Sequence, residues 1–219
     1  MPVFIEKEGK RAKMKEYKII DKKSVRIDPS SKIGKGVVFH ENVIVEGNCV
    51  IEDGVEIFGN TFIRSSTIGK NSKIVSSFIE ESVIGQENSI GPFTRLRPNS
   101  KTGKDVKLGN FVEVKNSSLG DMTKAAHLAY IGDADVGESV NIGCGVIFVN
   151  YNGKTKNRIK VGDGAFIGSN CNLIAPLEIA KDSYICAGTT VTENTQPEDF
   201  VIGRVKPTVK EKRAKKYLK

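Results

Sequence analysis

An all-β solenoid of parallel coils is the fold this sequence predicts, and three observations predict it. Aliphatic residues recur at steps of five or six from Ile33 to Val191, small or turn-forming residues follow many of them, and one stretch interrupts the series. A six-residue period fits neither the 3.6 of an α-helix nor the plain alternation of a strand. It suits a short strand and a turn, repeated so that each turn returns an aliphatic residue to a common axis. Hexapeptide repeats of this kind build a parallel β-helix.

The chain divides on this reading into an N-terminal segment (residues 1–24), the β-helix (25–195) and a basic C-terminal arm (196–219). The first segment mixes Val3-Phe4-Ile5 and Ile19-Ile20 with a basic run, and is expected to cover one end of the body as a short strand or helix. The repeat opens with Ile33, Phe39, Val45, Ile51, Ile57 and Ile63, then shortens in places through Ile68, Ile74, Ile79, Ile84, Ile90 and Leu96. It goes on through Thr102, Leu108, Val114, Leu119, Ala125, Ile131, Val136, Ile142 and Phe148, and resumes at Val161, Ile167, Leu173, Ile179, Ile185 and Val191. Three hexads close one triangular coil, so these 27 positions make nine coils, stacked about 4.8 Å apart like any paired strands. The stretch from Asn150 to Lys160 does not fit a coil and contains the turn signal Asn152-Gly153, so it is expected as an extruded loop. After Gln196 the chain is expected to leave the coil axis.

Composition narrows the class further. Of 219 residues 27% are charged and 38% hydrophobic, with 22 glycines and no tryptophan, which favours turns and closely stacked backbone over aromatic packing. No run approaches the ~20 apolar residues of a membrane span, and Met1 to Gly9 has no apolar signal core, so a cytoplasmic protein is expected. The four cysteines are scattered and form no Cys-x-x-Cys pair, which reads as reduced thiols. The net charge of +8 is carried by the ends, +4 over residues 1–24 and +7 over residues 204–219, leaving the body mildly acidic. No stacking platform or nucleic-acid motif accompanies the basic ends, so a nucleic-acid partner is not expected.

Against this repeat, Ala125-Ala126-His127-Leu128-Ala129-Tyr130 reads as a site. Only two histidines occur, His40 and His127, so zinc chemistry of the three-histidine kind is not expected and no metal is assigned. Two places on from Ala125, Ile142, Ile167 and Ile185 stand His127, Cys144, Ser169 and Ala187, one above another on the same face. Beyond the histidine the column holds only small side chains, a shallow channel for an elongated ligand. Arg97 and Lys115, three hexads apart, form a second column of stacked cations whose repulsion a bound anion such as phosphate would turn into affinity.

Several segments carry a specific resemblance: Gly91-Pro-Phe-Thr-Arg-Leu-Arg-Pro98, Gly109-Asn-Phe-Val-Glu-Val-Lys115, His127-Leu-Ala-Tyr-Ile-Gly-Asp133, Val140-Asn-Ile-Gly143, Asn150-Tyr151, Gly162-Asp163, Ala187-Gly-Thr-Thr-Val-Thr192 and Arg204-Val205. Together they resemble the acetyltransferase half of bacterial bifunctional N-acetylglucosamine-1-phosphate uridyltransferases, closely from Gly91 to Val205 and more loosely before. The resemblance implies a left-handed parallel β-helix and a homotrimer with sites between subunits. It also implies acetyl transfer from acetyl-CoA to the amine of glucosamine 1-phosphate, a step towards UDP-N-acetylglucosamine and the cell wall. Carried over by motif, His127 is the general base, a task an imidazole with its ordinary pKa of about 6.5 suits. Arg97 and Lys115 hold the sugar phosphate, Tyr130, Asn141 and Lys156 contact the substrate, and Asn150 stands beside the base. Ser169, Ala187 and Arg204 line the acetyl-CoA site, with Cys144 in the same column.

This chain departs from the family in having Ala126 where a glycine is usual, Ala129 where a threonine or serine is usual, and Cys144 for a small alanine. No glycine-rich nucleotide-binding domain precedes the repeat, so uridylyl transfer and its magnesium are not expected of this chain, and a separate nucleotidyltransferase is a candidate partner. Two alternatives stay open: acetylation of another amino sugar or a nucleotide-linked one, and a noncatalytic hexapeptide scaffold.

Overall fold

The computed structural model describes residues 16–217. Thirty short strands, most of two to four residues, wind into a solenoid of about ten turns, with one turn of 3-10 helix at Ala214–Lys216. Three parallel sheets form its faces. The first face has 11 strands from Lys18–Ile19 to Phe200–Val201, the second has 10 from Arg26–Ile27 to Thr190–Val191, and the third has 9 from Lys32–Ile33 to Leu177–Ile179. Each strand pairs with its counterpart one coil away, so the predicted parallel β-helix is the fold observed.

The register explains why the hexad is the unit. On the first face Phe39, Ile57, Ile74, Ile90, Leu108, Ala125, Ile142, Ile167 and Ile185 are successive pairing partners, one per coil. Side chains alternate along a strand, so that residue points inward, its neighbours point outward, and a corner follows at once. Of the 27 repeat positions, 26 are buried, Thr102 among them, and Ile33 at the open end is half-buried. At about 25 cal/mol per Å² of apolar surface, this column is the main stabilising element.

Corners explain the rest of the hexad. The backbone turns through the left-handed region at Asn42, Asn71, Asn99, Asn116, Asp133, Asn170 and Asp182, residue types that tolerate it best after glycine. Buried hydroxyls hold the polar backbone at these bends: the Ser66 hydroxyl accepts from the Ser82 amide at 3.1 Å, and the Ser117 hydroxyl from the Ala134 amide at 2.9 Å. Three bulky residues break the rule at one corner, since Phe93, Phe111 and Leu128 also have positive φ and are exposed.

The structure moves three expected boundaries. Lys18–Ile19 and Arg26–Ile27 already pair with Val38–Phe39 and Ile44–Val45, so the coil begins inside the N-terminal segment. The expected covering of that end by Val3-Phe4-Ile5 concerns residues outside the described ones. The extruded loop is shorter than Asn150 to Lys160, because Ile159–Val161 is a strand of the third face with Ile159 fully buried. The chain also stays in the coil past Gln196, since Phe200–Val201 pairs with Tyr184–Ile185 before the arm departs.

Candidate active site

His127 ends the strand Lys124–His127, at the corner where the first face turns into the second. The register of Ala125, Ile142, Ile167 and Ile185 stacks His127, Cys144, Ser169 and Ala187 in successive coils, as the spacing predicts. Backbone bonds tie this corner from coil to coil: Gly145 N to Leu128 O at 2.7 Å, Asn170 N to Cys144 O at 2.8 Å, and Gly188 N to Ser169 O at 2.8 Å. The coils approach so closely that a Cβ at Gly168 would stand 2.5 Å from the Ala187 nitrogen. Cys144 is exposed, so the column presents only small side chains to solvent after the histidine. Arg204 closes its far end, its Cγ and Cδ lying 3.6 and 3.7 Å from where a Gly188 Cβ would be. Asn141 is on the same first face, one coil beyond Lys124 and pointing outward before Ile142. The His127 ring accepts or donates no side-chain hydrogen bond among the described residues and is open to solvent.

The opposite edge of the second face carries a ladder of charge. Glu46, Arg64 and Glu80 are successive pairing partners. One coil further the same station holds Arg97, then Lys115, then Gly132. Glu80, 8% exposed, is paired with Arg64 and lies 3.7 Å from Arg95. Alternation of sign therefore neutralises the early rungs and fails at Arg97 and Lys115, where two cations adjoin. Arg97 turns to Glu113, with Nη1 to Oε1 at 2.9 Å. Lys115 forms no salt bridge among the described residues, and neither does Lys156, which the loop delivers beside it; Asp133 is the carboxylate whose charge reaches both. The adjoining Lys156 amine, partial burial and the Arg97 guanidinium hold the Lys115 amine below its ordinary range, with Asp133 opposing them.

The loop is a hairpin rather than a free excursion. Tyr151 and Lys156 form an antiparallel bridge. The Asn152 side chain accepts from the amides of Lys154 and Thr155 at 2.9 and 2.8 Å, and Gly153 turns at φ +92° with open space around it. Both feet are fastened. The Asn150 amide donates to Asp133 on one side. On the other, Arg158 grips Asp135 through Nε at 2.9 Å and through Nη2, and donates to the Asn116 and Ala134 carbonyls. Tyr130 lies across Gly132, where an added Cβ would come within 2.4 Å of its hydroxyl, and that hydroxyl is 3.5 Å from the Asn150 amide nitrogen.

Asp133 sits at the centre of this corner and is 6% exposed. Its carboxylate accepts from Asn116 Nδ2 at 2.6 Å and from Asn150, its amide donates to the Lys115 carbonyl at 3.0 Å, and its carbonyl accepts from Ile159. Burial raises its pKa, but those two side-chain bonds and the Lys115 and Lys156 charges outweigh it and hold the carboxyl below the usual range.

Two groups of the expected residues result. Arg97, Lys115, Asn150 and Lys156 gather at the second–third edge, and the Tyr130 hydroxyl reaches Asn150 from the start of the strand. His127, Asn141, Cys144, Ser169, Ala187 and Arg204 gather along the first face and its corner, with the strand Tyr130–Gly132 between the two groups. Sequence reasoning missed Glu113, Asp133, Asp135 and Arg158. For Asp133 a signal exists, because Asn99, Asn116, Asp133 and Asn150 recur every 17 residues and one member is a carboxylate. Among the described residues no group of three or more His, Cys, Asp or Glu could hold a metal ion, and no helix is long and apolar enough to cross a membrane.

Comparison with known proteins adds lineage to this geometry. The family model described as the GMPPB C-terminal domain matches residues 20–122. A bifunctional protein GlmU of Caldicellulosiruptor saccharolyticus is 48% identical over 197 residues, 90% of this chain and 42% of that protein. The GlmU of Clostridium novyi is 43% identical over 92% of this chain and 44% of its own length. The chain thus spans about two fifths of the curated relatives it matches. A UDP-N-acetylglucosamine acyltransferase, LpxA, from Bacteroides fragilis superposes with a TM-score of 0.50 at 21% identity, covering 81% of this chain and 69% of its own, a likeness of fold.

Proposed function

We propose that this chain, a homologue of bacterial bifunctional GlmU over nine tenths of its length, transfers an acetyl group from acetyl-CoA to the amine of glucosamine 1-phosphate. The observation that carries the proposal is the pair Lys115 and Lys156, two adjoining cations that form no salt bridge among the described residues, on the coils either side of the one that His127 opens. A cluster that is electrostatically unfavourable when empty becomes a receptor for a doubly charged phosphate. The resemblance of the quoted motifs supplies the acetyl-transfer class, and a sugar phosphate matches the charge.

In this mechanism Arg97, Lys115 and Lys156 bind the phosphate, and Tyr130, Asn141 and Asn150 orient the sugar. The His127 imidazole accepts the proton that the amine sheds as its nitrogen attacks the thioester carbonyl, and CoA leaves as the thiol. Cys144, Ser169 and Ala187 leave room for the pantetheine arm, and Arg204 offers a cation at the end of that channel. The resemblance implies a homotrimer in which neighbouring copies share each site. The proposed compartment is the cytoplasm.

The test is release of free CoA thiol from acetyl-CoA with a panel of amines: glucosamine 1-phosphate, glucosamine 6-phosphate, glucosamine and a nucleotide-linked glucosamine. Highest kcat/KM with glucosamine 1-phosphate is the expected result. Preference for the nucleotide-linked sugar would reassign the acceptor, and no release with any amine would make the chain a binding scaffold.

A further inference from the structure

Asp133 is a charge where an amide would have sufficed. It occupies an otherwise asparagine column, and its neighbours one coil away, Asn116 and Asn150, each donate one amide to it. A stack of asparagine side chains can satisfy itself, donor to acceptor, along the coil axis. A buried carboxylate adds a desolvation cost that hydrogen bonds only partly offset. The charge therefore serves something the amides do not.

The charged groups around this corner show what. Arg97 comes from two coils earlier and is occupied by Glu113; Arg158 returns from the loop and is occupied by Asp135. Lys115, on the adjoining coil, and Lys156, on the loop, form no salt bridge among the described residues, Lys160 and Lys101 lie on the Asp135 side, and Asp133 favours the charged form of Lys115 against both Lys156 and Arg97. The same side chain anchors Asn150, and so the foot of the hairpin that carries Lys156. One residue thus fixes where Lys156 stands and offsets the repulsion its presence creates.

We propose that Asp133 is the positioning residue of the phosphate cluster: it docks the loop through Asn150 and sets a buried negative charge beside Lys115 and the hairpin that carries Lys156, so fixing the upper pH limit for binding a phosphorylated substrate. This rests on the reading of the cluster as a phosphate site, and it assigns the role to a residue that touches neither phosphate nor amine. Asp133→Asn keeps the size and removes the charge, so Lys115 loses its proton at lower pH. Asp133→Glu keeps the charge on a longer stem.

The experiment is calorimetric binding of glucosamine 1-phosphate, and separately of inorganic phosphate, to the full chain and to both variants from about pH 6.5 to 9.5, with thermal melting as the check of folding. Near the acid end Asp133→Asn should bind within about threefold of the parent, while its alkaline loss of affinity sets in about one pH unit lower, a tenfold difference in Kd above that limb. Asp133→Glu should retain the parent's limb. An equal loss at every pH, an unchanged profile, or the same displaced limb in both variants would overturn the proposal. Phosphate binding that follows this pattern without acetyl transfer would sink the proposed function and leave Asp133's role standing. A parent chain that binds neither probe would remove both.

Discussion

His127 receives no side-chain hydrogen bond from its own chain among the described residues, so His127→Ala removes the proposed base without stripping the coil of a support. The expected outcome is a fall in kcat of about 10²- to 10⁴-fold with an unchanged circular dichroism spectrum; a fully active variant would contradict the assignment. Lys115 offers a second test at this scale. Its pKa is depressed in the fold, so the charged form is less favoured than in a free lysine, and a bound phosphate favours it again. Binding on the alkaline side, below the ordinary lysine pKa of about 10.4, should take up protons, which calorimetry in buffers of different ionisation enthalpy measures as a buffer-dependent heat. The column of His127, Cys144, Ser169 and Ala187 was legible because a period fixes which residues stack. Asp133 was legible only as an oddity in an asparagine column, since its partners come from coils 17 residues away.

At the scale of the element, the hairpin between Ile147–Val149 and Ile159–Val161 is held by two carboxylates of neighbouring stations, Asp133 and Asp135. The Arg158 hydrogen bonds, against the cost of burial, lower the Asp135 pKa, with Ser118 assisting. A lowered carboxylate pKa means that this anchoring is in place above the ordinary value of about 3.9 and is lost only as pH falls through the lower folded value. Hydrogen exchange of residues 151–157 should therefore stay slow at mildly acid pH and quicken below it. Arg158→Ala should quicken the same exchange at neutral pH and raise KM for the phosphorylated sugar severalfold, because Lys156 rides on this hairpin. The loop's existence was plain from the broken period, but its far boundary was not. Asn157, Arg158, Ile159 and Lys160 give no turn signal to say where extrusion ends, and only the pairing of Ile159 with Ala134 and Leu177 decides it.

Across the whole molecule, stability comes from nearest-neighbour contacts between coils, so damage stays local. Ile79→Ala, at a fully buried central position, should cost about 2–5 kcal/mol in chemical denaturation and loosen first the coils that touch it. Most of the ten turns were readable from the hexad. The first coil was missed because Ile19 and Ile27 are eight residues apart and break the step, and the last because Phe200 follows a run without aliphatic residues. The expected homotrimer rests on resemblance alone. The central claim is that this corner reads the phosphate of the acetyl acceptor, and the ratio of kcat/KM for glucosamine 1-phosphate over glucosamine, measured for the parent and for Lys115→Ala, tests it most directly. The account predicts that the ratio collapses by about tenfold or more, as expected when a charge-assisted contact to phosphate is lost, while the rate on glucosamine holds. An equal loss on both amines would contradict it.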